Sequence, residues 1–176
     1  MRIECYSKEV SSAEGHEPSV MSRAASNYRD PMASARFSHR ARASDNIEHV
    51  WKQLQQPSTW AQIGGVERLS EERFDQNGEL LGYRFVIIVG GSEYQGTATR
   101  SVAIREKQMV MEIASTQVMG EISVQLKPAG GATWVELSLS IASTGLFSSM
   151  LFPVVVKGVA GGFDDAAAAF VNSLNR

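Results

Sequence analysis

The chain is short of the residues that usually announce a site. Among 176 residues there is one cysteine, Cys5, and three histidines, His16, His39 and His49. One thiol closes no internal disulfide and builds no cysteine-based zinc centre. His-Glu-x-x-His, Gly-x-Ser-x-Gly and a Walker loop are all missing, and Gly90-Gly91 has only turn character. No apolar run approaches the ~20 residues that cross a bilayer. The most apolar stretch, residues 145–156, is interrupted by Ser148, Ser149 and Pro153. Nor does the beginning carry the apolar core of a signal peptide, so a cytoplasmic location is expected. Neither sign of charge dominates, with 17 Lys and Arg against 19 Asp and Glu and a net charge of −2. A nucleic-acid partner, which needs a basic surface, is therefore not expected.

What is present is enough for one packed domain: 43% of the residues are hydrophobic and 20% charged. Residues 1–33 lack any sustained period and are rich in Ser, Glu, Arg and Ala, the composition of a disordered tail. Regular patterning fills residues 34–176, expected to form a single domain.

Residues 36–42 alternate, with Phe37, His39 and Ala41 against Arg36, Ser38, Arg40 and Arg42, as in a half-buried strand. Ser44 or Asp45 then caps a helix, Glu48 standing at capping-box distance from Asp45. Ile47, Val50, Trp51 and Leu54 recur at helical spacing. Pro57 stops that helix and opens a short second one with Trp60 and Ile63 on its buried side. Six strand-like runs follow: 66–74, 80–89, 94–105, 109–116, 118–127 and 133–142. Turn signals separate them, including Asn77-Gly78, Glu106-Lys107 and Pro128-Ala129-Gly130-Gly131. The last segment carries Phe152, Val156, Val159, Phe163, Ala167, Phe170 and Leu174 at three- and four-residue steps. That pattern predicts an amphipathic helix of about 23 residues and about 35 Å. Pro153 is expected in its first turn. Gly158, Gly161 and Gly162, unfavourable inside a helix, predict a bend or the close approach of something large.

The order is β, αα, six β, α. It predicts an α+β fold: a seven-stranded, curved antiparallel sheet wrapped around a long C-terminal helix, with two short helices after strand 1. The sheet's apolar face must be covered, and the long helix is the element able to cover it. A twisted sheet closing on a helix leaves a space between them, where a ligand would sit.

Three segments carry a resemblance. Residues 43–54 read ASDNIEHVWKQL, residues 56–66 QPSTWAQIGGV, and residues 158–170 GVAGGFDDAAAAF. Together with the element order they resemble the START-related helix-grip superfamily (SRPBCC), which includes polyketide cyclases and lipid-transport proteins. The closing helix is similar to that of the carbon-monoxide-dehydrogenase accessory subgroup. The resemblance spans residues 34–175. It implies an internal apolar cavity that takes a lipid, sterol, polyketide or similar molecule, with no cofactor and no metal. The superfamily has no universal catalytic motif, so no catalytic residue is carried over.

Strand parity picks the lining. If charged residues mark the outer face, their alternates point inward. Arg84 then puts Tyr83, Phe85 and Ile87 inside, and Glu112 does so for Met109 and Met111. Glu121 and Lys127 put Ile122 and Val124 inside, and Glu136 does so for Leu137 and Leu139. The helix contributes Phe152, Val156 and Phe163. Plain core packing is the simple alternative for each of these residues.

Two polar residues share the inward parity: His39, and Arg100 together with Tyr94, Ala98, Val102 and Ile104. A buried charge is either paired or serves a ligand, so Arg100 is a candidate anchor for an acidic group and His39 a hydrogen-bonding partner. A bulge near Gly96 would instead turn Arg100 outward.

Three readings follow. The first is a binder or carrier of a hydrophobic small molecule, monomeric or weakly dimeric and without stable membrane insertion. The second is a cyclase- or dehydratase-type enzyme, for which only Tyr83, Tyr94 and His39 qualify as inward acid–base groups. The third is an interaction module that docks residues 146–156 on a partner enzyme.

Overall fold

The computed structural model describes residues 33–63, 66–89 and 92–175. The expected tail and the turns at Gly64-Gly65 and Gly90-Gly91 lie outside the described residues, apart from Ala33.

Strand β1 (Ser34–Ala43) is followed by α1 (Ile47–Leu54) and α2 (Pro57–Trp60). Six strands come next: β2 (Val66–Phe74), β3 (Leu80–Val89), β4 (Ser92–Ile104), β5 (Gln108–Ser115), β6 (Val118–Ala129) and β7 (Ala132–Ser143). The chain closes with α3 (Leu146–Ser173). All seven strands form one antiparallel sheet in the order β1-β7-β6-β5-β4-β3-β2. Five hairpins link β2 to β7, because each apolar run pairs with the one that follows it. β1 joins the far side by pairing with β7, Phe37 opposite Leu139 and His39 opposite Leu137.

The turn after β2 shows the local chemistry. The amide of Gly78 donates to the Asp75 carbonyl at 3.0 Å, and Gly78 takes φ +77°, which glycine adopts without Cβ strain. A second glycine is required by a close approach between strands. A Cβ on Gly96 would collide with the Phe85 ring and stand 2.9 Å from the Ala114 carbonyl oxygen. Glycine there lets an aromatic ring lie across the neighbouring strand.

One end of the sheet is sealed. Val50 and Leu54 of α1, Trp60 of α2, Ala43 of β1 and Phe170 and Leu174 at the end of α3 are all essentially inaccessible. The Trp60 ring packs 5.7 Å from that of Phe170, and its indole N–H donates to the Leu54 carbonyl at 2.8 Å. That bond satisfies the one polar atom which the burial of Trp60 would otherwise strand.

Three local expectations are corrected. The α1 cap is Asn46, whose Oδ1 accepts from the His49 amide at 2.9 Å, while Glu48 pairs with Lys52 at 2.9 Å. Helix α3 has 28 residues and begins six residues earlier than expected, which puts Pro153 inside it. The linker after β7 is thus only Thr144 and Gly145. Pro153 donates no amide bond to the preceding turn, a loss the helix carries in its N-terminal half. At Gly158, Gly161 and Gly162 an added Cβ would meet nothing within 4 Å among the described residues, so nothing packs closely against them.

Candidate ligand site on the inner face of the sheet

The inner face is graded in burial, and the grading follows from where the helices lie. α1 and α2 close one end, and α3 rests mainly on β1 and β7. Most of the inward-facing residues are packed. Met109, Met111, Val124 and Leu137 are fully buried, and Tyr83, Phe85, Ile122, Leu139, Phe152 and Phe163 are buried as well. Toward the other end Ala35, Phe37, Ile87, Ile113 and Val118 of the sheet, with Val155, Val156 and Val159 of α3, are only partly buried. A strip of apolar surface around Ile87 and Ile113 thus borders the core without being sealed by the helix.

Four polar side chains stand on this face. His39 lies in β1, where its Nδ1 is 3.0 Å from Asp164 Oδ1 on α3. Beside it the Phe37 and Phe163 rings are 5.5 Å apart. The pair therefore ties the strand to the helix. Arg100 does point inward, with 14% of its side chain accessible. Its charge is paired: Nη2 lies 3.1 Å from Asp75 Oδ2 and Nη1 lies 3.2 Å from Glu79 Oε2. Asp75 also accepts the Glu79 and Asn77 amides at 2.9 Å each. The Glu79 amide first, then the Arg100 guanidinium and the Asn77 amide, hold its carboxyl below the usual aspartate range against the opposing effect of burial. A bulge does occur in β4, but after Arg100, between Arg100 and Val102. It moves Val102 and Ile104 off the inner parity, leaving them 37% and 48% exposed.

Tyr83 differs from both. It is 4% exposed, opposite Ala98 in the register, and burial alone pushes its phenol above the ordinary tyrosine value. Its hydroxyl has no hydrogen-bond partner among the described residues. Among the described residues no fully enclosed side-chain oxygen or nitrogen lacks a partner, so the small surface that Tyr83 keeps includes its oxygen. Tyr83 also lines a groove of about 320 Å³ together with Glu71, Arg73, Arg84, Thr97 and Thr99. Tyr94, half-buried, stands opposite Ile87 at the unsealed end.

Sequence reasoning found these four residues but not the partners of Arg100. Asp75 and Glu79 flank the Asn77-Gly78 turn and read as loop charges; only the fold carries the turn back over β4. It also missed an open groove of about 640 Å³ at the sealed end, lined by Ile47, residues 104–108 and residues 125–128. No group of three or more His, Cys, Asp or Glu placed to hold a metal ion occurs among the described residues. No helix among them is long and apolar enough to cross a membrane.

A seven-stranded antiparallel sheet gripping a long C-terminal helix, with two short helices after β1, is the helix-grip fold of START-related proteins. No protein-family model matches the chain, and no curated protein matches it in sequence. Solved structures do. A protein from Thermus thermophilus superposes with a TM-score of 0.63 at 14% identity, over 80% of this chain and 97% of that one. The Zhui aromatase/cyclase from a Streptomyces species does so at 0.59 and 14%, over 81% and 92%. A START superfamily protein from Mycobacterium smegmatis gives 0.54 and 11%, over 74% and 94%. Likeness at such low identity is likeness of fold.

Proposed function

We propose that this protein binds a hydrophobic small molecule on the inner face of its sheet, beside α3, and orients it through Tyr83. The observation that carries the proposal is the Tyr83 hydroxyl, a buried polar group without a partner among the described residues, on the same strand parity as Phe85 and Ile87. Leaving a hydroxyl unpaired costs about 1–3 kcal/mol, a cost that a ligand carbonyl or hydroxyl would offset. The unsealed strip at Ile87, Ile113 and Val156 supplies the apolar wall, and Met109 and Met111 beneath it adapt to varied shapes. The likeness of fold to a START superfamily protein and an aromatase/cyclase supports the same reading.

The ligand is a lipid, sterol, polyketide or similar apolar molecule bearing one acceptor, carried in the cytoplasm by a monomer or weak dimer. Catalysis would need a second acid–base group beside Tyr83, a place for which Tyr94, opposite Ile87, is the remaining candidate. His39 is committed to Asp164, and Arg100 to Asp75 and Glu79. Native mass spectrometry of gently purified protein tests the proposal. An apolar adduct lost on denaturation is the expected result. Adduct-free protein that also fails to bind decanol, cholesterol and 2-naphthol would overturn it.

A further inference from the structure

The groove at the sealed end has a different chemistry from the inner face. Its floor is apolar: Ile47 from the start of α1, Ile104 at the end of β4, Leu126 of β6 and Pro128. Its rim is cationic: Arg105, Lys107 and Lys127, against the single anion Glu106. The lining residues thus carry a net charge of +2 in a chain whose total is −2. Arg105 is partly neutralised, with Nε 3.5 Å from Glu106 Oε1 and the Glu48 carboxylate of α1 close enough to feel it. Lys107 and Lys127 make no ion pair among the described residues.

The backbone brings these two lysines together. The Lys107 amide closes a turn on the Ile104 carbonyl at 2.9 Å, with Glu106 in the left-handed region at φ +57°. The Lys107 carbonyl then accepts the Leu126 amide at 2.8 Å, so the residue after Leu126, Lys127, stands next to the turn. Both lysines, neither in an ion pair among the described residues, line the groove. Ammonium groups are point charges that suit a phosphate or carboxylate without demanding a fixed orientation.

We infer that this groove is a second ligand site, separate from the inner face, for a free amphiphile with one anionic head on a short apolar body. The head, a phosphate monoester or carboxylate, sits between Lys107 and Lys127. The body lies on Ile47 and Ile104. The groove's volume of about 640 Å³ is in the range of small-molecule pockets.

The test is an NMR amide-shift titration with decyl phosphate and decanoate below their micelle concentrations, beside inorganic phosphate and decanol. Expected shifts cluster at residues 104–108 and 125–127. The Lys107→Gln/Lys127→Gln protein should bind decyl phosphate about tenfold more weakly, and its decanol shifts on the inner face should not change. Shifts confined to the inner face, or an unaltered affinity in the double variant, would overturn the inference. So would inorganic phosphate binding as tightly as decyl phosphate, since the apolar floor would then be idle. Sedimentation with anionic vesicles but no binding of the monomeric amphiphile would instead assign the lysines to a membrane surface and likewise overturn it. Failure of the inner-face proposal shows separately, as loss of the decanol shifts alone.

Discussion

Tyr83→Phe tests the proposed site by the sign of its effect. Where a buried tyrosine hydroxyl is hydrogen-bonded to the protein, deleting it costs about 0.5–1.5 kcal/mol. Here the hydroxyl has no partner among the described residues, and burial is the cause of the raised phenol value. Removing it should stabilise the ligand-free protein by about 1 kcal/mol. This is the low end of the range, because the oxygen keeps a little accessible surface that one water can reach. At about 2–4 °C per kcal/mol, the melting temperature should rise by a few degrees. Urea unfolding should give a higher midpoint at unchanged slope.

High pH sharpens the contrast. The folded phenol value is raised above the unfolded one, so the folded state holds its proton longer. That part of the stability is fully present below about pH 10 and is lost as pH rises further, toward the folded value. The variant lacks this loss, so its advantage should widen above pH 10. Tyrosinate absorbance should show that Tyr83 ionises only as the protein unfolds. Ligands should report the opposite preference: a carbonyl- or hydroxyl-bearing ligand binds about two- to tenfold more weakly to the variant, and a pure hydrocarbon equally well. If Tyr83→Phe instead destabilises the ligand-free protein by about 1 kcal/mol, the hydroxyl is structural and the reasoning fails.

Gly96→Val should cost about 2 kcal/mol or more, because its side chain occupies the position of the Phe85 ring; chemical denaturation measures it, and a neutral result would contradict the close approach. Arg100→Met should lower the melting temperature most near neutral pH. Asp75 is held below its unfolded value, so its contribution is present above about pH 4 and disappears as pH falls through the folded value, and the gap between the two proteins should close there. Phe170→Ala should cost about 3–5 kcal/mol by opening a cavity against Trp60 and should shift the Trp60 fluorescence. Asp164→Ala should speed amide exchange in α3 more than in the β3–β5 hairpins, because the contact it breaks joins only β1 and the helix.

Much of the fold is written locally. Alternation put Tyr83, Phe85, Met109, Met111, Ile122, Val124, Leu137 and Leu139 on one face, and all are buried together. Turn residues marked the hairpins, and Pro57 opened α2 at its first position. These features need only a period and a punctuation mark, both carried by adjacent residues. Parity failed where the backbone slips, at the bulge beyond Arg100, because no single residue type announces an extra residue in a strand. The start of α3 was misplaced because Pro153 reads as a first-turn residue, whereas the helix continues through it.

The sequence by itself thus determined seven strands, three helices, their order and the apolar face they share. Those follow from short-range geometry, in which one period gives one face. Only the tertiary structure decided what the polar residues on that face do. Pairing depends on contacts between residues distant along the chain: Arg100 meets Asp75 and Glu79 across the β2–β3 turn, and His39 meets Asp164 across 125 positions. Tyr83 meets no such partner. Its readiness for a ligand is a property of what surrounds it in space, which periodicity does not encode.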